Sequence, residues 1–385
     1  MQAKLHKSQE YYIFEKLNLN YKTQRLMQTQ RKELNFEGQN IFVGIDVHLK
    51  SWNVSIFTEN LHHKTFNQPP KAVTLSNYLK LNFPNAIYHS VYEAGFSGLH
   101  AHYELTNLGI HNIVTNPADV PTSDKERRRK TDKVDSNKLA RSLRNKDLKG
   151  IYTPSQDILE DRSFIRVRSS IVKDQSRLKN RLKSMLYFYG IEFPVEFQKS
   201  NTYWSKRFMV WLKAVRLKSQ SGNVALATSI KEAEQLRALL LEINKELKVL
   251  AITEKYAKNM ELIRSVPGIG LVTGMLFLSE IETIKRFENN DKFAGMIGIV
   301  PDCYSSGDNE QIGEITPRRH IHLRRGLIES SWIAVRVDPA LSKAFSDYSK
   351  RMEPNKAIVR IARKLSNRIY FVLKNEKKYE KRIVK

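Results

Sequence analysis

Apolar residues are scattered without a period through the first forty positions and become regular at Ile41. Ile41–Val47 and Trp52–Phe57 read as strands, and the short polar link His48-Leu49-Lys50-Ser51 between them predicts a hairpin. A helix is expected near Ala72–Phe83, then a strand at Ile87–Tyr92. Gly95-Phe96-Ser97-Gly98 opens a helix running through Leu105, and a further strand follows at Ile110–Thr115. A hairpin followed by strands alternating with helices describes a mixed α/β sheet domain. Beyond it, Asp119–Lys130 reads as a basic loop and Asp132–Leu143 as a helix, which Gly150-Ile151-Tyr152-Thr153-Pro154 breaks.

The period then turns helical. Ile165, Ile171, Leu178, Leu182, Met185 and Leu186 recur at near-helical spacing within Asp157–Tyr189. Leu236, Leu239, Leu240, Ile243, Leu247 and Leu250 do the same within Ile230–Ile263. Two such stretches suit a helical hairpin or coiled coil, the stripe serving either a core or an oligomer contact. After Ser265-Val266-Pro267-Gly268-Ile269-Gly270 comes an apolar helix to Ile281, within a compact helical domain that continues to about Ala340. Arg360–Lys385 is basic and helical in its first half. The expected organisation is therefore a basic extension (1–40), an α/β domain (41–155), a helical region (156–260), a C-terminal helical domain (261–345) and a basic tail (346–385).

Charge adds a partner to this outline. The 385 residues carry a formal charge of +25 and a pI near 9.9, which favours a nucleic acid over an anionic membrane surface. No apolar run approaches the roughly 18–20 residues of a membrane span, and Met1–Asn40 lacks the apolar stretch of a signal peptide. The single cysteine, Cys303, excludes an intrachain disulfide and a multi-cysteine zinc site. A cytoplasmic, nucleoid-associated location is expected.

Against this basic background four acids stand out. Asp46 closes the first strand and Glu93 the strand at Ile87–Tyr92, while Asp132 and Asp135 sit three apart at the start of a helix and so share a face. Carboxylates at strand ends and on one helix turn are what Mg²⁺-dependent phosphoryl chemistry requires. Asp132 also suits the N-cap position of its helix, a role that leaves Asp135 unexplained.

Three further segments bear on nucleic acid. Pro267-Gly268-Ile269-Gly270 resembles the turn of a helix-hairpin-helix, whose following helix offers free N–H groups to phosphate, although a plain helix–helix turn fits as well. Cys303-Tyr304-Ser305-Ser306-Gly307-Asp308 reads as a flexible polar loop, and a serine there needs activation to act as a nucleophile. Ile315–Arg325 is densely basic and suits phosphate contacts, while His320 and His322 lack partners at zinc spacing.

Taken in order, Gly44-Ile45-Asp46-Val47, Glu93-Ala94-Gly95, Lys130-Thr131-Asp132-Lys133-Val134-Asp135 with Ala140-Arg141, and Val266-Pro267-Gly268-Ile269-Gly270 form one set. Ile299-Val300-Pro301, Ser305-Ser306-Gly307, Ile315-Thr316 and Leu323-Arg324-Arg325 continue it. The set resembles the DEDD transposases of the insertion-sequence 110 family, relatives of the Piv-type DNA invertases. That resemblance implies a RuvC-like (RNase-H-like) α/β N-terminal domain, a long helical or coiled-coil linker, and a mostly α-helical C-terminal transposase domain. It implies Mg²⁺ on Asp46, Glu93, Asp132 and Asp135, and attack on DNA by Ser306, with Ser305 as the alternative. It further implies a structured non-coding guide RNA that pairs with donor and target DNA, leaving the protein to read backbone and shape.

Nucleic acid contacts are expected from Arg127, Arg128, Arg129 and Lys130, from the turn at Gly268 and Gly270, and from Arg318, Arg319, Arg324 and Arg325. A homodimer or homotetramer is expected, since the acids and the serine fall in different domains. The chain departs from the family at Thr316-Pro317-Arg318-Arg319-His320, where Thr-Lys-Arg-Gly-Asn is usual. Two other readings compete: a metal-only RuvC-like nuclease or Holliday-junction resolvase, and a non-catalytic nucleic-acid-binding protein.

Overall fold

A computed structural model describes residues 35–122, 131–199, 202–306 and 309–381, with the side chains of 303–312 outside that description. The chain divides into two compact units, Met1–Thr153 and Pro154–Lys385.

The first unit is built on a five-stranded sheet. Strands β1 (Asn40–Val47), β2 (Trp52–Phe57), β3 (His62–Gln68), β4 (Ile87–Glu93) and β5 (His111–Thr115) lie in the order β3-β2-β1-β4-β5. β1, β2 and β3 form an antiparallel meander, and β1, β4 and β5 run parallel. Helices α1 (Ala72–Asn82) and α2 (His100–Asn107) supply the crossover connections that parallel strands need. Helix α3 (Asp132–Arg144) packs on β1, β2 and β4. β2 is buried along its whole length, as expected of a strand covered on both faces. This is the RNase-H-like mixed sheet expected from the sequence. β3 was not anticipated: its sequence, HHKTFNQ, is polar and mostly exposed because it forms the sheet edge.

The second unit is mostly helical. α4 (Gln156–Phe188) and α6 (Gln220–Ala251) are long helices packed against each other, and α5 (Lys206–Ala214) joins them at one end. Their apolar stripes serve two separate cores. Leu178, Leu182 and Leu186 pack with Phe197, Phe208, Leu212 and Leu226 in a small aromatic cluster. Ile158, Ile165 and Leu247 instead join the large core of the following helices. Those are α7 (Ala257–Arg264), α8 (Leu271–Ile281), α9 (Asn290–Ile297), α10 (Ile321–Val337), α11 (Pro339–Ser349) and α12 (Pro354–Asn375), with the hairpin β6 (Pro301–Ser306) and β7 (Asn309–Ile315) between α9 and α10.

Three expectations are corrected here. The stretch expected as one helix over Ile230–Ile263 begins at Gln220, ends at Ala251, and resumes as α7. The segment 303–306, expected as a flexible loop, is part of β6, paired with β7. The basic tail is no appendage: α12 buries Ile358, Ile361, Leu365, Ile369 and Val372 in the large core.

Candidate active site

β1 and β4 are parallel neighbours with Ile45 beside Tyr92, so Asp46 and Glu93 emerge at the carboxyl ends of adjacent strands. That rim is where open α/β sheets hold their ligands. Helix α3 starts at the same rim. Its N-cap is Thr131, whose hydroxyl accepts from the Val134 N–H, so the capping role considered for Asp132 falls to its neighbour. Asp132 and Asp135 both lie in the first turn, where the helix dipole favours negative charge. Together Asp46, Glu93, Asp132 and Asp135 line one cleft of about 630 Å³, with His48, Lys138 and the Gly95–Ser97 loop.

The four acids fall into two pairs. On one side, His48 Nε2 lies 3.1 Å from Asp46 Oδ2 and 3.7 Å from Asp132 Oδ2. Asn53, cross-strand from Asp46, reaches Asp132 Oδ2 with its amide at 3.4 Å. On the other side, the Lys138 ammonium is 3.3 Å from Asp135 Oδ1 and 3.8 Å from Glu93 Oε1. Burial pushes the Asp46 carboxyl above its ordinary value. His48 pulls it back, and the charges of Asp132 and Asp135 push it up again. Carboxylates that repel one another in a cleft suit a hard divalent cation, which would relieve that repulsion.

Small residues let α3 approach closely enough to complete this set. A Cβ on Gly44 would stand 2.1 Å from the Ser136 carbonyl oxygen and 2.4 Å from the Ala140 nitrogen. Beside that contact the Ser136 and Ser55 hydroxyls are 2.9 Å apart, pinning the helix to β2. Sequence reasoning missed His48, Asn53 and Lys138. The signal for Lys138 was present, three positions after Asp135 on the same helix face.

In the second unit, Ser306 ends β6 and pairs with Asn309 across two intervening residues, while Ser305 pairs with Glu310. Arg127, Arg128, Arg129 and Lys130 lie outside the described residues. Gly270 is the N-cap of α8. Gly268 has φ +82° and sits so tightly on α10 that a Cβ would lie 2.2 Å from the Ser330 carbonyl oxygen. The turn is therefore required by packing as well as by backbone conformation.

Arg318, Arg319 and Arg325 are exposed, Arg325 pairing with Glu329. Arg324 differs. It is 9% exposed and donates to the Thr316 carbonyl, so it braces the basic segment from inside instead of presenting its charge to solvent.

A buried hub holds that segment. Glu280 on α8 is 3% exposed and meets Arg162 and Arg166 of α4 and His320 Nε2, at 3.3, 2.8 and 3.2 Å. Burial pushes the Glu280 carboxyl up, but His320 and Arg166 outweigh it and hold the carboxyl at about 2. His320 Nδ1 meanwhile accepts from the Leu323 N–H as the N-cap of α10. The family's usual asparagine is a preferred N-cap residue, so His320 keeps the cap and adds a link to Glu280. Arg319, at the position of the usual glycine, is not among the residues with positive φ, so its backbone does not require glycine.

A sheet of this topology with acids gathered at its carboxyl rim defines an RNase-H-like domain of the DEDD type. Comparison with known proteins agrees. The pattern of a DEDD transposase family matches residues 43–191, and that described as "Transposase IS116/IS110/IS902 family" matches residues 260–346. The chain belongs to the IS110/IS116/IS902 family of transposases, enzymes that cut and join DNA.

Among curated relatives, the transposase for insertion sequence element IS1533 of Leptospira borgpetersenii is 24% identical over 355 residues, 90% of this chain and 99% of that protein. The Sinorhizobium fredii protein y4qE is 25% identical over 252 residues, 66% of this chain and 60% of that protein. The transposase for IS1111A of Coxiella burnetii is 23% identical over 303 residues, 75% of this chain and 78% of that protein. Membership of a DEDD family implies a divalent metal, and a transposase implies DNA binding. Among the described residues no helix is long and apolar enough to cross a membrane.

Proposed function

We propose that this transposase breaks and rejoins DNA through a phosphoserine link formed by Ser306, with Mg²⁺ held by Asp46, Glu93, Asp132 and Asp135. The observation that carries the reading is the single cleft that collects all four carboxylates on one rim of the sheet. A bound Mg²⁺ supplies positive charge that acidifies a hydroxyl and offsets charge on a departing oxygen. Asp46 and Asp132, with Glu93 and Asp135 across the same cleft, would hold it. Ser306 Oγ attacks the phosphorus, its bond to one deoxyribose oxygen breaks, and the serine proton passes in net balance to the freed hydroxyl. Attack by a second DNA hydroxyl on the phosphoserine then restores Ser306 and joins the new strand.

Ser306 and Asp135 are 171 positions apart and belong to different compact units. Composite sites between subunits of a homodimer or homotetramer would bring them together, with α4 and α6 as the assembly element. A structured non-coding RNA selects donor and target DNA by base pairing, while exposed Arg318, Arg319 and Arg325, the Gly268–Gly270 turn and the Arg127–Lys130 segment contact phosphates.

The test is adduct trapping. Ser306→Ala should abolish covalent protein–DNA adducts while RNA binding survives. Adducts that persist in both Ser306→Ala and Ser305→Ala would show that the nucleophile is another residue, whereas Mg²⁺-dependent cleavage by the wild type with no trappable adduct would favour the metal-only nuclease.

A further inference from the structure

We infer that His48 is itself a metal ligand, which makes the Asp46–Asp132 side of the cleft a mixed nitrogen–oxygen site that prefers Mn²⁺ to Mg²⁺. The inference rests on the metal reading of the acidic quartet and goes beyond it by adding a donor that no carboxylate motif contains.

Geometry comes first. One donor atom each from Asp46, His48 and Asp132 lie within 4.8 Å of one another. Around an octahedral ion with bonds of roughly 2.1 Å, adjacent donors stand about 3.0 Å apart. His48 Nε2 is 3.1 Å from Asp46 Oδ2 and 3.7 Å from Asp132 Oδ2. The first separation already fits, and the second closes with a small side-chain rotation. Nε2, which shares a hydrogen bond with Asp46 Oδ2, thus stands within ligand-to-ligand distance of that carboxylate and near that of Asp132.

Local structure keeps it there. His48 directly follows β1, and its backbone N–H donates to the Ser51 carbonyl at 3.2 Å, fixing the start of the hairpin link. Asn53 holds Asp132 from the next strand, so the carboxylate facing the imidazole is braced as well. The opposite side of the cleft is served differently, by Lys138, whose ammonium lies within 4 Å of both Glu93 and Asp135 and is 8% exposed. On that side the carboxylates already share their charge with an ammonium, whereas the His48 side offers an imidazole donor in addition to its two carboxylates.

Chemistry sets the metal preference. Mg²⁺ favours an all-oxygen shell with several waters. Imidazole suits later first-row ions, and Mn²⁺ accepts oxygen and nitrogen donors in the same octahedral frame. His48 should therefore raise affinity for Mn²⁺ more than for Mg²⁺.

The experiment uses the full-length protein, Mn²⁺ and pulsed electron paramagnetic resonance, which detects ¹⁴N coupled directly to the bound ion. Wild-type protein should bind Mn²⁺ with an imidazole nitrogen signal. His48→Gln should lose that signal, bind Mn²⁺ about tenfold or more weakly by calorimetry, and change its Mg²⁺ affinity less. Mn²⁺ bound without nitrogen coupling, or coupling retained in His48→Gln, would overturn the role of His48 while leaving the quartet's metal role standing. No specific Mn²⁺ binding, with Asp46→Asn indistinguishable from wild type, would overturn both. Circular dichroism of each variant at the assay temperature establishes that a lost signal reflects the ligand and not the fold.

Discussion

Gly44→Ala provides a quantitative test of how the acidic site is assembled. Replacing a strand glycine with alanine ordinarily stabilises a protein by about 0.4–1 kcal/mol, because the unfolded chain loses freedom. At Gly44 the new Cβ would meet the Ser136 carbonyl oxygen at 2.1 Å and the Ala140 nitrogen at 2.4 Å, both backbone atoms of α3. Neither can rotate away. Ordinary contact begins near 3.4 Å, so the helix must retreat by about 1 Å, stretching the Ser55–Ser136 hydrogen bond. Overpacking of this kind costs about 1–3 kcal/mol, which exceeds the entropic gain.

The net loss of about 1–2 kcal/mol should lower the melting temperature of the first unit by roughly 3–8 °C. Because α3 carries Asp132 and Asp135 while β1 carries Asp46, the same retreat spreads the quartet and should weaken Mn²⁺ binding. Gly95→Ala is the control, since its Cβ would meet nothing closer than 3.9 Å although Gly95 lines the same cleft. Scanning calorimetry and metal titration of the full chain measure both effects. A Gly44→Ala protein that melts within a degree of wild type and binds Mn²⁺ equally well would refute the argument that glycine sets the strand–helix spacing.

Two more outcomes follow from the charged groups. Lys138→Ala removes the ammonium that lies beside Glu93 and Asp135, so the freed carboxylates should bind Mn²⁺ several-fold more tightly by calorimetry; an unchanged affinity would count against the ammonium as a charge that competes with the ion. Glu280→Gln should destabilise the second unit through the stranded Arg162 and Arg166, near His320, His322 and Arg286. The folded carboxyl sits at about 2 against an ordinary 4.5, a depressed value, so its stabilisation is complete above pH 4.5 and is lost as the pH falls through 4.5 toward 2. It amounts to something on the order of 3 kcal/mol. Urea midpoints at pH 7, 4 and 3 should show the gap between wild type and Glu280→Gln closing with acidification, and a constant gap would show that the Glu280 carboxyl has the same pKa folded and unfolded.

Sequence reading succeeded where burial leaves a period. Ile41, Val43 and Ile45 alternate in β1 because one strand face meets the core, and the ends of such strands locate Asp46 and Glu93. It failed where no period exists. β3 is an edge strand with one buried residue, Gln68, and β6 and β7 are short and polar, so their pairing shows only in three dimensions. α12 has a clear amphipathic stripe, yet its lysines and arginines drew attention to charge before packing. His48, Asn53 and Lys138 were illegible for another reason. Each acts through a partner fixed by strand register or helix face, and none belongs to a carboxylate motif.

The burial of α12 also orders the steps by which this protein comes into being. Ile158 and Ile165, near the start of the second unit, share one core with Ile369 and Val372, more than two hundred positions later. Contacts that distant must wait for the intervening chain, and such topologies fold slowly. The first unit, closed by residue 153, can condense during synthesis. The unit bearing Ser306 cannot complete its core until α12 has been made. Synthesis therefore yields the unit that carries the acidic quartet first and the serine-bearing unit last, so a nascent chain holds its acids in place well before its hairpin has a finished support.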